Sequence, residues 1–180
     1  MAEEKLRISV KIDGKTFRKF ALFDTWLRQK RWHSPAIFAA LMLVFSVLCF
    51  LLRNLAEGAV LLGAVLLGVG LLLPAGYFLS FLLGVNGQIQ KMGLEFKAKE
   101  VYTLELDRAE GVAVSNGTEQ VKLGWAQLYG AYRVKDCTYL YATPGRAYLL
   151  PDGQIEGGGN ALWALLDDCL PPEKRIDRRK

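Results

Sequence analysis

Few side chains in this 180-residue sequence have the types and spacing that chemistry requires. Asp167, Asp168 and Glu173 could together suggest a metal site, but the solvated face of a helix explains these carboxylates better. A cluster of histidine ligands cannot form because His33 is the single histidine. We therefore expect neither a metal nor a cofactor.

The three cysteines, Cys49, Cys137 and Cys169, have no CxxC spacing and indicate a reducing compartment rather than a disulfide framework. Cys137 stands beside Asp136, a neighbour that disfavours a thiolate nucleophile. No nucleophile in the sequence has a recognisable base close to it. We therefore predict that the protein is not an enzyme.

Two further patterns have structural explanations. Gly157, Gly158 and Gly159 are not followed by the Lys-Ser/Thr pair of a phosphate loop, which favours a flexible linker. Residues 84–170 carry eight Lys and Arg against eleven Asp and Glu, so we expect no nucleic-acid partner. We assign the aromatic residues of this region to a core, and these are Trp125, Tyr129, Tyr132, Tyr139, Tyr141 and Tyr148.

Two apolar runs dominate the first half of the chain. Residues 35–52 and 59–83 contain 18 and 25 residues without a charge, parted by a loop at 53–58. A helix needs about 20 apolar residues to cross a bilayer, so the pattern predicts a transmembrane hairpin over residues 35–83. A channel or transporter is disfavoured because the runs contain no Asp, Glu, Lys, Arg or His.

The distribution of Lys and Arg predicts the orientation of this hairpin. Nine such residues precede the first run, one lies in the loop and three follow the second run by residue 99. Positive charges accumulate on the cytoplasmic side of a membrane. We therefore predict a protein of the cell's inner membrane with two spans and both termini in the cytoplasm.

Basic and aromatic side chains alternate just before the first span. Residues 16–34 read as an amphipathic helix in the headgroup layer. Within this segment we predict lipid-headgroup contacts by Arg28, Lys30 and Arg31. The lipid bilayer is thus the first expected partner.

Small residues recur at helical spacing in the second span. Gly76, Ser80 and Gly84 stand at i, i+4 and i+8, a spacing typical of close helix packing in lipid. We favour packing within the hairpin, with packing against a second copy or another protein as the alternative. Pro74 is predicted to kink the helix.

The soluble parts of the chain alternate apolar and polar residues. Residues 6–12 predict a strand that needs a sheet from beyond the hairpin. A juxtamembrane helix or linker is predicted at 84–100. Six strands follow, with a two-residue turn at Asn116-Gly117, and they are predicted at 101–106, 111–114, 120–125, 128–134, 138–142 and 147–150.

An amphipathic helix over residues 161–170 is predicted to start at an N-cap, Asn160. Trp163, Leu166 and Leu170 would cover the sheet from this helix. Residues 171–180 begin with Pro171 and are rich in basic side chains, which predicts a disordered basic tail.

Three segments carry a resemblance to a known family. In residues 123–129, 136–141 and 147–151 a Trp precedes a strand, a polar turn leads into an aromatic-rich strand, and an apolar strand ends in Pro. This pattern resembles the YcxB-like family of small bacterial membrane proteins. Asp152 and Gly153 stand where that family usually has Lys after the proline, so no headgroup contact is expected there.

The resemblance implies a membrane α+β protein in which the hairpin is inserted in a PH-like antiparallel β-barrel of seven strands with a C-terminal capping helix. Residues 1–15 would supply the first strand and residues 101–170 the remainder of that domain.

The function predicted on this basis is a non-enzymatic, membrane-anchored module that presents a cytoplasmic protein- or lipid-binding surface at the inner leaflet. The alternative is a structural or regulatory subunit of a larger membrane transport or stress-response complex, assembled through the transmembrane helices. The partner protein is not identified by the sequence, and a homo-oligomer is compatible with it.

Overall fold

The computed structural model describes residues 5–54, 56–94, 98–117 and 119–179. The chain forms two compact units. Residues Gly14–Glu95 make a helical unit, and Met1–Asp13 together with Phe96–Lys180 make a sheet unit. The helical unit is therefore inserted in the chain between parts of the sheet unit.

The helical unit contains two long apolar helices. It begins with α1 (Gly14–Leu22) and a π-helical segment (Phe23–Arg28), continues with α2 (His33–Leu51), and ends with α3 (Ala59–Met92). Both α2 and α3 are long and apolar enough to cross a membrane, with 6% and 11% of their most apolar stretches buried. The predicted juxtamembrane segment begins as a continuation of α3, which ends at the left-handed Gly93.

The predicted single helix at 16–34 is interrupted. Lys30 has a left-handed backbone with φ of 50°, a conformation that ends a right-handed helix. A new helix, α2, then starts at His33 and accommodates Pro35 in its first turn, where the missing N–H removes no helical hydrogen bond. Residues 16–34 therefore do not form one continuous helix.

The first four strands form one antiparallel sheet. They are β1 (Leu6–Ile12), β2 (Lys99–Asp107), β3 (Gly111–Ser115) and β4 (Gln120–Leu123), in that order across the sheet. Strand β1 pairs with β2 from Leu6 opposite Leu106 onward, which confirms the pairing predicted for the N-terminal strand. The inward residues Ile8, Val10, Leu104 and Leu106 are at most 1% exposed and form part of the core.

A second sheet has the order β7-β6-β5-β8. Strands β5 (Gly130–Arg133), β6 (Cys137–Thr143) and β7 (Arg146–Pro151) are antiparallel, and β8 (Arg175–Asp177) pairs with β5 in parallel. The prediction of a disordered tail at 171–180 is therefore wrong for its middle. The main-chain groups of β8 pair with β5, and the side chains of Arg175 and Asp167 form an ion pair.

The predicted PH-like antiparallel β-barrel is present only in part, because the two sheets do not form a closed barrel. Edge strands β1 and β7 belong to different sheets, and side chains of Tyr102 in β2 and of Gln154 after β7 connect the two sheets instead of a strand ladder. The Tyr102 hydroxyl donates to the Leu149 carbonyl (3.1 Å) and accepts from the Leu149 N–H (2.6 Å). The Gln154 side-chain amide likewise bonds the Lys11 N–H and carbonyl, each at 2.7 Å, beside a bulge in β1. These contacts satisfy main-chain groups that the ladders leave free.

Helix α4 (Gly158–Cys169) covers the core with Leu162, Leu165 and Leu166, and Leu170 beyond its end is also buried. The prediction that Asn160 is the N-cap is wrong. The helix starts at Gly158, two residues before Asn160, and its N-cap is the left-handed Gly157. The hairpin turn does not have the predicted register at Asn116-Gly117. Ser115 pairs with Gln120, the Asn116 N–H donates to the Glu119 carbonyl (3.1 Å), and Asn116 lacks the positive φ that a turn centred on Asn116-Gly117 requires.

Candidate functional site

Arginines pair with two of the three carboxylates that suggested a metal site. Asp168 forms an ion pair with Arg108 (3.0 Å), and Asp167 forms one with Arg175. Among the residues that the structure describes, no group of three or more His, Cys, Asp or Glu side chains could hold a metal ion. The acidic pair on α4 therefore connects this helix to the strands beside it.

The two cysteines of the sheet unit have structural environments. Cys137 is 4% exposed and its thiol lies 3.7 Å from the Thr138 carbonyl. Burial raises the pKa of the Cys169 thiol. The charge of Arg108 lowers this pKa, and the charges of Asp168 and Asp107 raise it further. Neither environment favours the thiolate that a nucleophile needs.

The aromatic side chains mostly belong to the core. Tyr139, Tyr141 and Tyr148 are buried, and only one member of the set, Tyr129, is a large exposed hydrophobic side chain in the described part of the sheet unit. Trp125 donates its indole N–H to the carbonyls of Asp107 and Arg108. These side chains therefore stabilise the sheet unit and do not present a row of rings for stacking.

A partly buried polar cluster joins β5 to α4. The Arg133 side chain belongs to a residue that is 4% exposed, and its Nη2 donates to the Asn160 Oδ1 at 2.5 Å. The guanidinium carbon lies 5.6 Å from the Trp163 ring centroid. Arg133 Nε and Asp152 Oδ1 are buried, and neither has a hydrogen-bond partner within the described residues.

The Asp152 carboxyl group occupies the start of α4. A Cβ on Gly159 would collide with this carboxyl group, so glycine gives it room beside the first helical turn. Gly158 and Gly159 are therefore part of the helix rather than a linker, and the Asp152 carboxyl group lies beside its first turn.

Burial raises the pKa of the Asp152 carboxyl group; the Arg133 and Arg179 guanidinium groups oppose this effect and Asp136 adds to it. The folded protein therefore binds this proton more tightly than the unfolded chain, and the associated stability is lost as the pH rises from about 4 through the folded pKa. We expect the stability of an Asp152→Asn variant, relative to the unmodified protein, to increase between pH 4 and pH 7. Thermal unfolding of the full chain in detergent micelles at each pH measures this difference in stability between the two proteins.

Asp107 provides a control of opposite sign. The backbone N–H groups of Ala109 and Glu110 lower the pKa of its carboxyl group, and Lys5 contributes. Its stabilising effect is present above the unfolded pKa of about 4 and is lost as the pH falls through the folded pKa, so the stability of Asp107→Asn relative to the unmodified protein should change little between pH 4 and pH 7 and should increase below pH 4. If Asp152→Asn changed as little between pH 4 and pH 7 as Asp107→Asn, the assignment of Asp152 would be wrong.

The three cations predicted to contact headgroups have different environments. Arg28 pairs with Asp24 (2.5 Å), and its side chain is 9% exposed. Gln29 also bonds the Asp24 carboxylate, at 2.5 Å. Arg28 is therefore engaged within the π-helical segment, whereas Lys30 and Arg31 are exposed. The spacing of Asp24 and Arg28 at i and i+4 was the signal in the sequence for this pairing.

The predicted packing residues Gly76, Ser80 and Gly84 are exposed, and a Cβ on either glycine would have nothing within 4 Å. Helix α3 instead contacts α2 at Gly63 and Gly70. The Ser46 hydroxyl donates to the Gly63 carbonyl (2.8 Å), and a Cβ on Gly70 would lie 2.6 Å from the Met42 Cβ. The favoured interpretation, that Gly76, Ser80 and Gly84 pack within the hairpin, is therefore wrong, and packing against another chain stays a prediction.

No family model, no curated protein and no solved structure matches this chain.

Proposed function

We propose that this chain is a membrane-anchored module of the inner membrane whose sheet unit presents a binding surface for a protein or for lipid on the cytoplasmic side. The observation that carries the proposal is the exposure of α2 and α3. Their most apolar stretches are 6% and 11% buried, whereas the core helix of a soluble protein has its apolar face covered. A bilayer would cover these side chains.

The order of elements supports a PH-like character for the sheet unit. Seven antiparallel strands in two sheets precede α4, whose apolar face is buried on them. The parallel strand β8 is an addition to the expected seven. Membership of the YcxB-like family stays a prediction, as does the absence of enzymatic activity.

The anchor would serve binding by raising local concentration. The chain passes from one unit to the other after Asp13 and again after Glu95. A module attached in this way gains effective concentration for any partner at the same membrane, so even a weak surface interaction would be productive.

The test of this proposal is membrane topology. The full chain, expressed in bacteria, should stay in the membrane pellet after carbonate extraction. Protease should digest the sheet unit in inside-out vesicles and leave it intact in right-side-out vesicles. Release by carbonate would contradict the anchor, and digestion only from the outer face would contradict the cytoplasmic orientation.

The alternative function, a subunit of a larger membrane complex, is supported by the free space around Gly76 and Gly84. A second helix could approach α3 closely along these positions. Replacing both glycines by Leu should then remove co-purifying protein and leave folding intact. A binding surface on the sheet unit would survive the same change.

A further inference from the structure

Two adjoining grooves lie beside the start of α2 and the middle of α3, and both are lined by Arg31, Pro35, Pro74 and Tyr77. The larger has a volume of about 530 Å³. The smaller has a volume of about 230 Å³ and includes Trp26 and Trp32 in its lining. The larger volume falls within the roughly 300–1,000 Å³ range of ligand sites.

The groove exists because the two helices present little volume there. Ala36 and Ala39 contribute only methyl groups to its lining. One turn earlier in α3, Gly70 lies so close to Met42 that no Cβ would fit. The close contact at Gly70 therefore gives way to open space at Pro74, which is part of α3 and lacks a main-chain N–H.

One cation stands at this apolar groove without a counterion. In contrast to Arg28, the Arg31 side chain has no hydrogen bond or ion pair with any residue that the structure describes. The Tyr77 side chain likewise has no partner in the described part of the chain. An apolar groove with one unpaired guanidinium group at its side is complementary to a molecule with a hydrocarbon part and an anionic head.

We propose that these two adjoining grooves bind one anionic phospholipid, with one acyl chain along Pro35, Phe38 and Leu73 in the larger groove, the other acyl chain in the smaller groove, and its phosphate at Arg31. The proposal rests on the membrane anchor proposed above. Arg31 stands four residues before the apolar run that starts at position 35, which is the level of the headgroups in that orientation. A hydrocarbon chain fits this lining because it requires no hydrogen bonds from it.

Bromine atoms on an acyl chain quench a tryptophan that they contact, and Trp26 and Trp32 stand in the smaller groove. The full chain would be placed in mixed bilayers of phosphatidylglycerol and phosphatidylcholine with bromine on one lipid class at a time. One cation near anionic lipid changes affinity about fivefold, so brominated phosphatidylglycerol should compete about fivefold better for the tryptophans.

Three variants separate a specific site from general surface charge. Arg31→Gln should reduce the lipid preference to about one. Arg53→Gln, which removes the cation of the loop between the two helices, should leave the preference unchanged. Ala36→Phe should fill the smaller groove at an exposed position and reduce quenching by both lipids.

The outcomes distinguish this proposal from the anchor on which it rests. Absence of quenching by either brominated lipid would contradict the membrane anchor itself. Equal quenching by both lipids in the unmodified protein would contradict the groove and support the anchor. An effect of Arg53→Gln as large as that of Arg31→Gln would also contradict a site at the groove.

Discussion

Replacing Tyr102 by Phe should lower the free energy of unfolding of the sheet unit by about 3 kcal/mol, because each buried polar group left unpaired costs about 1–3 kcal/mol. The Tyr102 hydroxyl is both donor and acceptor for the main chain of Leu149. Phenylalanine keeps the ring, which packs edge-on against Tyr148 at 5.4 Å, and removes both hydrogen bonds. Urea unfolding of the full chain in detergent micelles, followed by near-UV circular dichroism, measures the change.

Tyr129→Phe is the matched control. Tyr129 is 47% exposed, and its hydroxyl has no partner within the described residues, so its removal should cost less than about 0.5 kcal/mol. Similar losses in the two variants would contradict a bridging role for Tyr102. Burial also raises the pKa of the Tyr102 phenol, so the stability that it provides should persist at neutral pH and be lost only at strongly alkaline pH.

Local patterns predicted the elements that are amphipathic or uniformly apolar. Strict alternation placed β1 at residues 6–12, and the uncharged runs correspond to α2 and most of α3. The period of apolar residues is a strong signal where one face is buried. The seven strands before α4 were therefore predicted in number and order.

The elements that the sequence could not predict depend on contacts between distant residues. Strand β8 has three residues, two of them charged, and it forms because β5 offers an unpaired edge. The open arrangement of the two sheets likewise depends on Tyr102 and Gln154 reaching strand neighbours far along the chain. No local period encodes such contacts.

The predictions of lipid-contact and helix-packing residues likewise depended on contacts that the local sequence does not encode. Charge and position alone predict the same role for Arg28 and Arg31, but Arg28 forms an ion pair with Asp24 and Arg31 does not. Small-residue spacing occurs several times in α3, and the register of the hairpin decides which repeat meets α2. Ala59 and Gly63 have the same spacing of four residues and Gly63 does meet α2, whereas Leu66 and Pro74, rather than small residues, stand four positions from Gly70.

Replacing Gly70 by Leu should destabilise the helical unit by about 3 kcal/mol, because inserted volume in a close-packed contact costs about 1–3 kcal/mol and the clash involves the rigid Cβ of Met42. In lipid no hydrophobic force holds two helices together, so close contact between backbones provides much of their association. The measurement is unfolding of the full chain by titration of SDS into detergent micelles, followed by far-UV circular dichroism.

Gly76→Leu is the control because both substitutions add the same side chain and gain about the same helix propensity, roughly 0.8–1 kcal/mol. Nothing lies within 4 Å of a Cβ at Gly76, so this variant should unfold at the same SDS concentration as the unmodified protein or at a higher one. Equal destabilisation by the two variants would mean that α2 meets α3 along Gly76 rather than Gly70. A stable Gly76→Leu variant that no longer co-purifies with another chain would instead show that this other chain packs against α3 at Gly76.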